Sequence, residues 1–166
     1  MIHGTAIVHY TATIGKNTNV WAFSHISANA VIGDNCTIGE GVHIGDGVVI
    51  GDHCKIQNHA LLYSGVSIGN RVFIGPAVTT TNDINPKATG EWKDRFRKTI
   101  IHDDVAIGAN STILCGITIN RGVSIGAGCM VTKDCKPWCV YYNPNTAAIC
   151  MKTKNTPTTG TIRVEP

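Results

Sequence analysis

The side chains in this 166-residue chain with chemistry to offer are its seven histidines, its seven cysteines and one cluster of cations. Spacing narrows what each can do. His25 and His43 stand 18 residues apart, each immediately before an isoleucine, Ile26 and Ile44. An imidazole titrates near working pH, which makes histidine the usual general base, but no histidine here is singled out for that role by its spacing alone. The cysteines include no C-x-x-C pair, and their odd number without an export signal reads as reduced thiols rather than a disulfide framework. Cys36, Cys54 and Cys129 behave there as compact hydrophobes. Between Asp83 and Lys98, the segment DINPKATGEWKDRFRK sets Lys87, Lys93, Arg95, Arg97 and Lys98 around Trp92 and Phe96. Asn82 stands at its mouth.

These groups need a scaffold, and a comb of aliphatic residues spaced by six supplies it. It runs Ile2, Val8, Ile14, Val20, Ile26, Ile32, Ile38, Ile44, Ile50, Ile56, Leu62, Ile68, Ile74 without a break. Four residues after each comes a small or β-branched residue, and the residue directly after it is often Gly, as at Gly15, Gly33, Gly51 and Gly69. No α-helix has a period of six and a flat strand has two. The period is that of a parallel β-helix, with one short strand and one turn per hexad. The comb resumes at Ile101, Ile107, Ile113, Ile119, Ile125 and Val131. From Ile74 to Ile101 is 27 residues, not a multiple of six, so 83–98 must leave the coil as an external loop. Long insertions in such scaffolds carry function or stay irregular. Three hexads close one triangular coil, which stacks residues 18 apart about 4.8 Å from each other. His25 and His43 form one such pair. Ala109 and Ala127 form another, a shallow groove in which an extended ligand can lie.

Composition supports one rigid all-β domain over 1–140, followed by a tail over 141–166. In that tail NTAAICMK is expected as a short helix, and 153–166 as irregular chain. A net charge of +3 without a basic run argues against nucleic acid as partner. No membrane span or signal peptide is visible, so the expected location is cytoplasmic.

At this point specific segments carry a resemblance. NVWAFSHI (19–26), KIQNHALLYSGV (55–66), VFIGPAVTTTNDINPKA (72–88) and IGANSTILCGITI with the following IGAGCMVTKD resemble the left-handed β-helix (hexapeptide repeat) acyltransferases. Within these, the chain is most similar to enzymes that acetylate the 3-amino group of UDP- or dTDP-linked sugars for cell-surface polysaccharide or glycan synthesis. The similarity covers about Ile2 to Pro144. Left-handedness follows from the resemblance alone, since parallel crossovers are otherwise right-handed.

The resemblance implies a homotrimer with acetyl-CoA as co-substrate, no metal, and a nucleotide-linked amino sugar entering opposite the CoA. The pantetheine would lie in the Ala109/Ala127 column beside Ser111, with Lys133 toward the nucleotide end of CoA. Asn82 matches a family asparagine that contacts the reacting amine. Asn58, Tyr63 and His25 would line the sugar pocket, with Asn85 and Arg95 contributed by the inserted loop. A uronate acceptor would call for Arg95, Arg97 or Lys87; a dideoxy sugar would not. His59 is the candidate base, the departing CoA thiolate the other proton acceptor. Tyr142-Asn143-Pro144-Asn145-Thr146 replaces the family's GNPAK, so no adenine contact is assigned. An acyltransferase acting on a sugar hydroxyl is the competing reading. A γ-carbonic-anhydrase-like zinc site is the remote one: His53 and His59, six apart, fall on neighbouring faces and do not give its three-histidine spacing.

Overall fold

The computed structural model describes residues 1–89, 95–142 and 149–150, with only the backbone described for the last pair. Each hexad forms one strand of two or three residues, and every third strand joins the same sheet. One face has seven strands, from Ile7–Val8 through His25–Ile26, His43–Ile44, Leu61–Leu62, Thr79–Thr80 and Thr112–Ile113 to Met130–Val131. We call it the histidine face. The valine face has six, running from Thr13–Ile14 to Thr118–Ile119. The third face starts at Asn19–Val20 and contains eight. All pairings between consecutive coils are parallel. They advance by 18 residues where the repeat is unbroken, as in His25 opposite His43 and Ile26 opposite Ile44, by 33 across the insertion, as in Thr79 opposite Thr112, and by 16 at the last coil, where Ser124 faces Val140. The predicted three-sided parallel β-helix is therefore the fold.

The comb residues fill its interior: Ile26, Ile38, Ile44, Ile56, Leu62 and Ile74 are fully buried. The small slot does more than fit the corner. The side chains of Thr18, Ser24, Cys36, Cys54 and Ser111 each donate to the carbonyl of a turn glycine 15 residues on, as in Ser24 Oγ to Gly39 O at 2.7 Å and Cys36 Sγ to Gly51 O at 3.1 Å. A thiol there is thus a weak donor satisfying a buried carbonyl, as well as a hydrophobe. Outside, Asp34, Asp52, Asn70 and Asp103 accept the backbone N–H of Lys16, Asp34, Asp52 and Asn70 respectively, one coil below. That ladder explains the repeated Gly-Asp and Gly-Asn pairs.

The comb also runs one step further than its aliphatic members indicate. Thr80 occupies the next inward position at 1 % exposure, and its hydroxyl accepts the Tyr63 N–H at 2.9 Å. The chain then leaves the prism and returns at Thr99, which is buried. The loop's neck is closed by Arg97 N–H to Asn82 O and Thr99 N–H to Gly65 O, both 3.0 Å. The returning Arg97 passes between Gly65 and Gly116, where an added Cβ would come within 3.3 Å and 3.2 Å of it. Both glycines also adopt positive φ (95° and 83°), so the close approach and the turn both need them.

Past Val131 the coil continues, with Cys135 bridging to Ile119 and Cys139–Tyr141 adding a further strand to the third face. Two expectations for the C-terminal part change. Within NTAAICMK, Ile149–Cys150 form a strand antiparallel to Cys139–Tyr141, where a helix was expected. Sheet hydrogen bonds offered by an open edge override a weak local helix preference. Finally, Cys139 is disulfide-bonded and faces Cys150 in that register, whereas Cys36, Cys54, Cys115, Cys129 and Cys135 are free and buried. An antiparallel return brings together positions that sequence spacing keeps apart. The rest of the tail, including 143–148 and 151–166, and Trp92 and Lys93 in the loop lie outside the described residues. No helix among the described residues is long and apolar enough to cross a membrane.

Candidate functional site

The histidine face ends at two corners with different equipment. At the corner entering it stand Trp21, Asn58, His59, Ala109 and Ala127; from the corner leaving it the inserted loop emerges. Four residues of extended chain, such as His59 to Tyr63, separate the corners by about 13 Å.

The leaving corner holds the larger cavity, a groove of about 670 Å³ lined by His43, Asp46, Tyr63, Asn82, Phe96 and Lys98 among others. Parallel stacking builds its wall. The ring of His43 lies 5.4 Å from that of His25 on one side and 5.5 Å from that of Tyr63 on the other. Burial pushes the His43 imidazole below its ordinary range, the nearby His25 lowers it further, and the Asp46 carboxylate opposes both. His43 is therefore neutral at neutral pH, able to accept a proton. Asn82 is anchored by its backbone carbonyl at the loop neck, and it also lines an adjoining cavity of about 330 Å³ with Asp83, Lys87, Arg95 and Phe96.

Inside that cavity Arg95 does not stand as a free cation. Its Nη2 lies 3.2 Å from Asp83 Oδ2 and its Nη1 donates to Asn85 O at 3.4 Å, while the Asn85 N–H donates to Asp83 Oδ1 at 2.8 Å. Asn85 thus contributes its backbone to organising the loop.

Sequence reasoning placed Asn58 and Tyr63 in one sugar pocket. Within the chain they separate. Tyr63 lines the groove, whereas Asn58 lines a third cavity of about 240 Å³ with Trp21, Glu40 and Gln57, its Oδ1 accepting the Glu40 N–H at 3.1 Å. His25 reaches the groove only through its contact with His43. Ala109 and Ala127 do stack, with Gly128 N–H donating to Ala109 O at 2.8 Å. Ser111, expected beside CoA, is turned into the core at 0 % exposure and bonded to Gly126 O at 3.0 Å, so its hydroxyl is unavailable to a ligand lying outside. Lys133 is exposed one hexad beyond Ala127, at the other corner. His59 likewise lies a corner away from Asn82. The group that sequence reasoning passed over is His43. Its stacking under His25 was visible in the spacing; its company of Tyr63, Asp46 and Asn82 was not.

The loop neck suggests a direct test of what the insertion serves. Replacing 83–96 by a two-residue Gly-containing turn converts the Asn82 O to Arg97 N–H bond into the closing bond of a β-turn. The prism is expected to keep its circular dichroism. If the chain carries the acyl transfer that its resemblance implies, the KM for the acceptor should rise about tenfold or more, by loss of the loop's share of binding, with that for acyl-CoA nearly unchanged. Equal loss for both substrates would assign the loop to CoA.

The family description "Bacterial transferase hexapeptide (six repeats)" matches residues 11–46, 29–63, 47–82 and 98–133. A galactoside O-acetyltransferase of Lactococcus lactis is 35 % identical over 72 residues, covering 42 % of this chain and 35 % of that enzyme. The chain thus spans about a third of that relative's length. Among solved structures, a perosamine N-acetyltransferase from Caulobacter crescentus, in complex with CoA and GDP-perosamine, superposes with a TM-score of 0.57 at 22 % identity over 89 % of this chain and 55 % of that one. A variant of AntD, an N-acyltransferase from Bacillus cereus, in complex with dTDP-4-amino-4,6-dideoxyglucose and CoA, gives 0.56 at 22 % identity over 91 % and 83 %. At such identities the likeness is one of fold.

Proposed function

Because this chain belongs to the bacterial transferase hexapeptide family, we propose that it moves an acetyl group from acetyl-CoA to the amino group of a nucleotide-linked sugar. The carrying observation is the groove in which Asn82, at the mouth of the inserted loop, shares one cavity with the neutral His43. An amine attacking a thioester needs to be held within about 3.5 Å of the carbonyl carbon, pointed at it, and relieved of a proton. Asn82 supplies an amide to orient the amine. His43 supplies an acceptor for the proton; the departing thiolate is the alternative one. The amine is chosen because solved structures of this fold hold CoA together with nucleotide amino sugars; the likeness to a galactoside O-acetyltransferase makes a sugar hydroxyl the competing acceptor.

CoA itself fits the Ala109/Ala127 column at the opposite corner, where small side chains leave the strand edges approachable. With the acceptor groove about 13 Å away on the same chain, the two halves meet where the entering corner of one protomer faces the leaving corner of another. His59 would join the site by the same route. The valine face, whose outward Val31, Val49 and Ile100 remain 42–43 % exposed, offers an apolar surface for such packing. Light scattering should therefore give three times the 17.7 kDa chain mass. A fully active monomer would remove the shared site.

The function is tested by thiol release from acetyl-CoA with UDP- and dTDP-linked 3-amino and 4-amino sugars, beside the matching hydroxy sugars. Turnover confined to hydroxy sugars would establish an O-acetyltransferase instead.

A further inference from the structure

Asp83 and Arg95 make an unusual pair. The Asp83 side chain is 10 % exposed and that of Arg95 34 %. Their charges lie 3.2 Å apart, yet Asp83 Oδ2 and Arg95 Nε and Nη2 are buried and make no aligned hydrogen bond. All three atoms belong to residues lining the cavity that Asn82 shares. Buried polar atoms cost free energy unless a partner satisfies them. Here the open valences are one acceptor and two donors side by side.

From this geometry we infer that the Asp83–Arg95 pair is a hydroxyl-reading subsite, which makes the acceptor an uncharged amino sugar and rejects the corresponding uronate. The inference rests on the amino-sugar reading above and deepens it. A sugar hydroxyl both donates and accepts, so one hydroxyl can donate to Asp83 Oδ2 and accept from Arg95 Nε or Nη2. A carboxylate only accepts. It would gain Arg95 but lie against Asp83, two like charges in a site withdrawn from water. Because Asp83 already neutralises Arg95, the guanidinium offers an acidic sugar little net attraction. Lys87, the other cation among the described residues lining this cavity, is exposed and screened by solvent. Rejection here comes from a repulsive element built beside the attractive one.

The test uses two nucleotide sugars that share nucleotide and 3-amino group and differ only at C6, hydroxymethyl against carboxylate. Binding to the full-length protein is measured by calorimetry and turnover by thiol release with acetyl-CoA. The neutral sugar is expected to bind about tenfold or more tightly and to be turned over in preference. Asp83→Asn, which keeps shape and removes the charge, should narrow or invert that ratio by freeing Arg95. Arg95→Gln should weaken the neutral sugar without improving the uronate. Preference of the unaltered protein for the uronate would overturn the inference, a result that needs no variant to fold. So would an unchanged ratio in a folded Asp83→Asn protein. Binding of the neutral sugar without acetylation would instead overturn the amino-acceptor reading and leave the subsite standing. Failure of both sugars to bind would overturn both.

Discussion

Asn82→Ala is expected to lower kcat/KM for the amino-sugar acceptor by about a hundredfold, roughly 2.7 kcal/mol of transition-state stabilisation. The fold should persist, because the neck of the loop is held by the Asn82 backbone carbonyl rather than its side chain. An effect confined to kcat would mean that the amide orients the amine at the moment of attack, and an effect confined to KM that it merely binds the sugar. Loss of less than about threefold would remove Asn82 from the chemistry, since even one preorganised hydrogen-bond donor contributes far more in such sites.

His43→Asn is expected to lower kcat by about a hundredfold if the imidazole takes the proton, the lower end of what general base catalysis contributes. The sign of the pH dependence follows from the proton. Only neutral His43 can accept one, so the unaltered enzyme should lose activity as pH falls through a pKa below the ordinary histidine range, where burial and His25 place it. His43→Asn should abolish that acid limb. His25→Asn should move it upward, by removing the positive charge that disfavours protonation of its neighbour, while Asp46→Asn should move it further down. Tyr63 stacks beside His43 in the groove wall, and Lys98 lines the same groove. If the CoA thiolate is the acceptor instead, His43→Asn should cost less than about tenfold and leave the profile's shape intact. His59→Asn separates the third possibility: a hundredfold loss there, with His43→Asn mild, would place the base on the opposite corner and require a neighbouring protomer to deliver it.

How much of this was legible before folding depends on whether a relation is local or emergent. The hexad period dictates which side chains point inward and which stack, because wherever the repeat is unbroken spatial neighbours are simply residues 18 apart. Burial of Ile26 beneath Ile44, the stacking of His25 on His43, the pairing of Ala109 with Ala127 and the exit of the loop at 83–98 all follow from that arithmetic. The same arithmetic separates Asn58 from Tyr63, five residues apart, and Lys133 from Ala127, six apart, by one corner, and turns Ser111 inward as a small-slot residue. Those placements were readable too; the family likeness grouped these residues into sites lying between adjacent prisms, and within one chain they stand at different corners.

The tertiary structure decided what periodicity cannot encode. Asn82 comes to line one groove with His43 because the loop leaves the prism one coil above Leu61–Leu62 and refolds against its own neck, with Arg97 threaded between Gly65 and Gly116. Arg95 looked like a free cation for an anionic substrate, and only the folded loop brings Asp83 within 3.2 Å of it. The C-terminal strand and the disulfide at Cys139 depend on an antiparallel return outside the repeat, where no fixed spacing predicts the partner. The sequence by itself therefore determined the prism, its inward rows and its corners, since each is set by contacts repeating at one short interval. The contacts on which the proposed function rests arose where that repeat is interrupted, because there the partners are chosen by the folded path of the chain.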